Sequence, residues 1–174
     1  MTSGEAYLFA THHPEDRKFS AVDIAMATSA VPTFFPMVRI GKGLFADGGL
    51  FANAPDLQSA HEAEYKLNVP TRQLRLLSIG TTSGHFPLSD DREKLGALDW
   101  LTDEHLMRIS MSAQQSSVDT MLRDRLGERY LRIDHRQSPA QRKVLGLNVA
   151  TDEATRILGE LERMLRHKSA SAFD

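Results

Sequence analysis

Short apolar runs alternate with stretches of helical period along this chain, and that alternation constrains its fold more than any other feature. Residues 7–10, 74–79 and 130–133 are compact runs of strand length. Residues 37–40 and 44–47 flank Gly41-Lys42-Gly43, which reads as a hairpin closed by a three-residue glycine loop. Residues 21–30 are rich in small side chains and suit a short helix, which must stop before Pro32. Residues 55–66 read as a helix with Pro55 in its first turn, where a missing N–H costs nothing. Residues 103–122 read as a longer helix, with Leu106, Ile109, Ala113 and Ser117 at three- and four-residue steps. The last helix opens on Thr151 as N-cap, with Asp152 and Glu153 at its positive end. Ile157, Leu158, Leu161, Met164 and Leu165 form its apolar stripe, Arg166, His167 and Lys168 close it, and residues 169–174 fray. Strands alternating with helices predict an α/β layered fold. The strands are too few for a broad sheet, and the first follows Met1 almost at once. The expectation is a domain that begins upstream of this sequence.

Composition narrows the function classes. A length of 174 residues fits one domain with a real core, and 41% apolar with 25% charged residues is an ordinary globular balance. A net charge of -2 gives no general attraction to nucleic-acid polymers. A local basic excess does occur: Arg123, Arg125, Arg129, Arg132, Arg136, Arg142 and Lys143 outnumber Asp124, Glu128 and Asp134. It reads either as a solvated face or as a patch for lipid headgroups or another anion. There is no cysteine, so the chain carries no disulfide, thiolate zinc site or thiol nucleophile. Residues 1–10 do not read as a secretory signal, and no apolar run approaches the roughly 20 residues that cross a bilayer. A cytoplasmic protein with at most peripheral membrane contact is expected.

Asp47-Gly48-Gly49 is the most informative stretch. It follows the strand-like Leu44-Phe45-Ala46 and precedes Asn53-Ala54-Pro55 and a helix. A carboxylate at a strand end followed by two glycines implies a tight turn whose backbone glycine adopts easily, and one that another group can approach closely. Alone, Asp-Gly-Gly is a common turn. Two other stretches share its context. Upstream stands Ala25-Met26-Ala27-Thr28-Ser29-Ala30-Val31-Pro32-Thr33-Phe34-Phe35-Pro36, and downstream Leu76-Leu77-Ser78-Ile79-Gly80-Thr81-Thr82.

In order and spacing over residues 20–82, these pieces resemble the patatin-like phospholipase family. There an A-x-A-T-S-A-x-P-x-x-F-P segment precedes a catalytic D-G-G, an N-x-P and a strand ending in S-x-G-T. The resemblance implies a three-layer α/β/α fold, truncated here on its N-terminal side, with residues 1–174 forming the C-terminal portion of a single domain. It implies a lipid acyl hydrolase that uses a Ser–Asp dyad without histidine, metal or cofactor. Asp47 would be the general base and acid, with Gly48 and Gly49 shaping its turn. Thr28, Ser29 and Pro32 would support the site wall. His12-His13-Pro14, Ala54-Pro55-Asp56-Leu57 and His61-Glu62-Ala63-Glu64 resemble bacterial antiphage phospholipases of this family that a cyclic nucleotide switches on. That subgroup implies a cyclic-nucleotide activator and raises the prospect of a homo-oligomer.

The departures are as informative. The family's nucleophile sits in a G-x-S-x-G elbow, and this sequence has none. Gly80-Thr81-Thr82-Ser83-Gly84 places its serine one position too late. The chain alone is therefore expected to be inactive. The alternative is a catalytically inactive binding or assembly module. Other constellations are weaker. His61-Glu62 lacks the second histidine of a zinc protease, since Tyr65 stands there. His12, His13 and Asp16 lack a spacing that fixes a coordination geometry. His85, His105 or His135 could pair with Ser83 or Ser29, but no elbow accompanies either serine. Phe34, Phe35, Phe45 and Phe51 read as core, with one or two able to line an acyl pocket.

Overall fold

The computed structural model describes residues 4–32, 34–82, 105–146 and 149–170, the side chains of the last stretch through 166. It is an α/β chain of two compact units, Met1–Ala54 and Pro55–Asp174.

In the first unit, helix α1 (Ala21–Thr28) begins at Ser20, whose Oγ accepts the Asp23 N–H, and ends where Ser29 N–H bonds back to Ala25 O. It packs beside β1 (Val38–Ile40), which pairs antiparallel with β2 (Gly43–Phe45). The register Ile40↔Gly43 leaves a two-residue loop rather than the expected three. Gly41 takes its first central position at φ 56°, the place a II′-type hairpin turn reserves for glycine, while Gly43 belongs to the strand. Residues 7–10 pair with no strand among the described residues, contrary to expectation. Their two-residue side-chain alternation survives: Tyr7 and Phe9 both pack edge-on or tilted against Phe45, at ring-centroid distances of 6.0 and 5.2 Å. The segment is thus held by side chains instead of a ladder. Helix α2 (Gly49–Ala52) is a single turn after Asp47-Gly48.

The second unit opens with α3 (Asp56–His61), with Pro55 at its N-cap, one position earlier than expected. The helix widens to a π turn over Glu62–Lys66 and closes near Asn68, at φ 57°. Strand β3 (Leu76–Ile79) and β4 (Tyr130–Ile133) pair in parallel with the register Leu76↔Tyr130 to Ile79↔Ile133. The crossover between them carries α4 (His105–Leu126), which runs four residues past its expected end. Leu122, Leu126, Ala60 and Tyr130 form the buried centre, with Leu57, Leu74, Leu76 and Val118 against it. The stripe read from Leu106, Ile109, Ala113 and Ser117 is not the buried centre, and Leu106 is exposed. Short helix α5 (Pro139–Val144) was not expected. Its signal is present in Ser138-Pro139-Ala140-Gln141: serine and glutamine cap each other's backbone N–H and proline takes the first turn. Helix α6 (Asp152–Ala170) starts as read, with Thr151 Oγ1 accepting the Ala154 N–H at 3.2 Å. Leu145, Ala154 and Leu161 form a second small core. No described helix is long and apolar enough to cross a membrane.

Candidate active site

The small-residue end of α1 and the Asp-Gly-Gly turn lie nineteen or so residues apart in sequence and meet in space. Asp47 N–H donates to Ala30 O at 3.1 Å, and Gly48 N–H donates to Thr28 O at 3.3 Å. The carbonyls at the end of a helix lack partners within it. Here two consecutive N–H groups of the turn take up carbonyls at that end. Ala27 and Ala30, at this end of the helix, are both buried and carry only methyl groups.

Asp47 is half-buried, and its Oδ1 accepts the Gly49 N–H at 2.5 Å. Among the described residues it makes no ion pair. Gly48 sits at φ -64° and ψ -23°, an ordinary right-handed conformation. The expectation that glycine serves here for its backbone freedom is corrected; close approach is the reason. A Cβ on Gly48 would fall 2.9 Å from Thr28 Oγ1. Ser29 does not face the turn as a wall residue would: its Oγ donates back to Ala25 O at 2.8 Å.

Outside this turn, Asp16 is the one strongly buried carboxylate of the first unit's loop, at 4% exposure. It accepts Tyr7 Oη–H at 2.7 Å and Ala10 N–H at 2.8 Å, and it meets His13 Nδ1 at 3.2 Å. Burial alone would raise its pKa, but these donors outweigh burial and hold it below the ordinary aspartate value. The carboxylate ties its own loop together, and no group of three metal-ligating side chains occurs among the described residues.

The basic run of residues 123–143 proves to be mostly internal ties. Arg123 bonds Asp119, Arg125 bonds Glu64, and Arg129 bonds Thr71 O. Arg132 is the most embedded. Its Nη1 donates to Ser78 Oγ at 2.6 Å and lies 3.5 Å from Asp56 Oδ2, and its Nη2 donates to Asp134 Oδ2 at 2.7 Å. Gln115 Nε2 also donates to Asp134, at 2.9 Å. Burial would lower the pKa of Arg132, but Asp134 outweighs it and the net shift is upward. Sequence reading missed this cluster, for no local motif marks an arginine and a serine 54 positions apart. Ser83 and His85 lie outside the described residues, as does the side chain of His105. His135 donates its backbone N–H to Asp134.

A family model described as "Patatin-like phospholipase" matches residues 2–57. Three curated relatives are each named "cGAMP-activated phospholipase". The one from Pseudomonas aeruginosa is 40% identical over 148 residues, covering 82% of this chain and 44% of its own length. That from Vibrio cholerae is 33% identical over 136 residues, covering 70% of this chain and 38% of its own. That from Escherichia coli is 32% identical over 99 residues, covering 51% and 28%. This chain thus spans less than half the length of these relatives. No solved structure matches it.

Proposed function

Because the chain belongs to the patatin-like phospholipase family, we propose that Asp47 is the general base of a lipid acyl hydrolase, acting on a serine that these 174 residues do not supply. The observation that carries this reading is the Asp47 carboxylate itself, suspended from the end of α1 by the turn's backbone and unclaimed by any cation among the described residues. In the proposed reaction Asp47 takes the serine Oγ proton as Oγ bonds to the ester carbonyl carbon. It then returns that proton to the departing alcohol, leaving an acyl-enzyme. Water, deprotonated by the same carboxylate, releases the fatty acid and regenerates the serine.

The names of the relatives support two extensions: a phospholipid substrate and activation by a cyclic dinucleotide of the cGAMP type. The absence of a G-x-S-x-G elbow favours a second reading, a binding or assembly module without catalysis. One graft separates them. This chain is exchanged for the matching 148-residue stretch of the Pseudomonas aeruginosa relative. Phospholipid hydrolysis, stimulated by added cGAMP, is the expected result, and Asp47→Asn in the graft is expected to lower it by about 10²–10⁴-fold. Undiminished turnover by Asp47→Asn would remove Asp47 from the mechanism. The 174-residue chain assayed alone is expected to be inactive. Robust turnover by it would direct the search for a nucleophile to Ser20, Ser29, Ser78 and Ser83.

A further inference from the structure

We infer that Thr28 is the positioning residue of the Asp47 turn, an inference that rests on the reading of Asp47 as general base. Two contacts carry it. The Thr28 carbonyl accepts the Gly48 N–H at 3.3 Å. Its Oγ1 stands 2.9 Å from the point where a side chain on residue 48 would begin. The hydroxyl therefore occupies the space that glycine leaves open, and the two residues are complementary in shape. Nothing in the backbone at residue 48 calls for glycine, since φ -64° and ψ -23° suit any residue. Thr28 is what excludes a side chain there.

The neighbouring residues do not share this role. Ser29 spends its hydroxyl on the Ala25 and Met26 carbonyls, and Ala30 offers only a carbonyl and a buried methyl. Thr28 makes no side-chain hydrogen bond among the described residues, so its hold on the turn is steric. A β-branched side chain suits that task because its χ1 is stiff. With Oγ1 in place, residue 48 cannot rise toward α1. The carbonyl bond prevents it from falling away, and Asp47, whose own N–H bonds Ala30 O, directly precedes the residue so held. General-base catalysis requires hydrogen-bond reach to the proton, and a displacement of about 1 Å costs on the order of 10²-fold in rate.

The test uses the graft in the Pseudomonas aeruginosa relative. Thr28→Ala is expected to lower kcat on phospholipid vesicles by about 10–100-fold with KM unchanged, and Thr28→Ser to recover most of the loss. Gly48→Ala is expected to be poorly active, and the pair Thr28→Ala with Gly48→Ala to exceed it. That reciprocal rescue distinguishes shape complementarity from general loss of structure. Full kcat in Thr28→Ala, or no gain in the double variant, would overturn the inference. Asp47→Asn would still report separately on the base assignment. Thermal melts of the 174-residue chain provide a readout independent of turnover: the two substitutions should be less than additive in their effect on Tm, and strict additivity would also overturn the inference.

Discussion

At the residue scale, buried carboxylates decide more than the visible motifs do. Asp16 is held below its ordinary pKa by Ala10 N–H, Tyr7 and His13 against the opposing effect of burial. A carboxyl depressed in the folded state stabilises the fold above its unfolded pKa, near 3.9, and loses that contribution as pH falls through the folded value. Asp16→Asn should therefore flatten the acid limb of the stability curve below about pH 4, and Asp16→Ala should cost about 1–3 kcal/mol at neutral pH by stranding the Tyr7 and Ala10 donors. Urea melts from pH 2 to 7 read both; an unchanged acid limb in Asp16→Asn would refute the assignment. Gly80 gives a second check, since a Cβ there would fall 2.2 Å from Asp134 Cγ. Gly80→Ala should disturb Asp134 and with it Arg132, seen as a loss of stability that Asp134→Ala largely absorbs. The turn at Asp47 was legible in the sequence because its glycines and the A-T-S-A segment are local patterns. The Arg132 cluster was not, because its members come from α3, β3, α4, β4 and the residue that follows β4, and only folding brings them together.

At the element scale, the N-cap at Thr151 and the hairpin were read from the sequence, whereas the caps at Ser20 and Ser138 and the pairing of distant strands were not. Ser20, Ser138 and Thr151 each accept an N–H three residues on, which is short-range information. Ser138→Ala should cost about 1 kcal/mol by opening the capping box, measurable as a lower Tm. The hairpin and the strands over Leu76–Ile79 and Tyr130–Ile133 were read to within two or three residues. Residues 7–10 failed because an apolar run says nothing about whether a partner strand is present. The π turn over Glu62–Lys66 failed because helical period alone does not distinguish a widened turn. In α4 the pattern drew attention to the N-terminal half, yet the buried contacts come from Val118, Leu122 and Leu126. Leu122, fully buried, is the element's anchor: Leu122→Ala should cost about 2–5 kcal/mol, whereas Leu106→Ala should cost little. Denaturant midpoints of the two variants order them directly.

At the scale of the whole molecule, the distribution of apolar surface sets how the chain behaves on its own. A parallel pair of strands is ordinarily covered on both faces. Leu76 and Ser78 turn inward toward the core of the second unit, while Leu77 and Ile79 are 53% and 72% exposed on the opposite face. In the first unit, Val22 and Met26 repeat at helical spacing on α1 and are both exposed, as are Phe35, Leu50 and Phe51. Singly, exposed apolar side chains are unremarkable. Several on each unit, two of them adjacent on one sheet face, are an association hazard. The isolated chain is therefore expected to bind an apolar dye and to sediment with a concentration-dependent mass. Replacing Leu77 and Ile79 by lysine should reduce that association while leaving the melt nearly unchanged, since neither side chain contributes to the buried centre. A wild-type chain that sediments as a monomer at all concentrations, with a cooperative melt and no dye binding, would show that these faces are tolerated in water, and would strengthen the reading of the chain as a self-sufficient module.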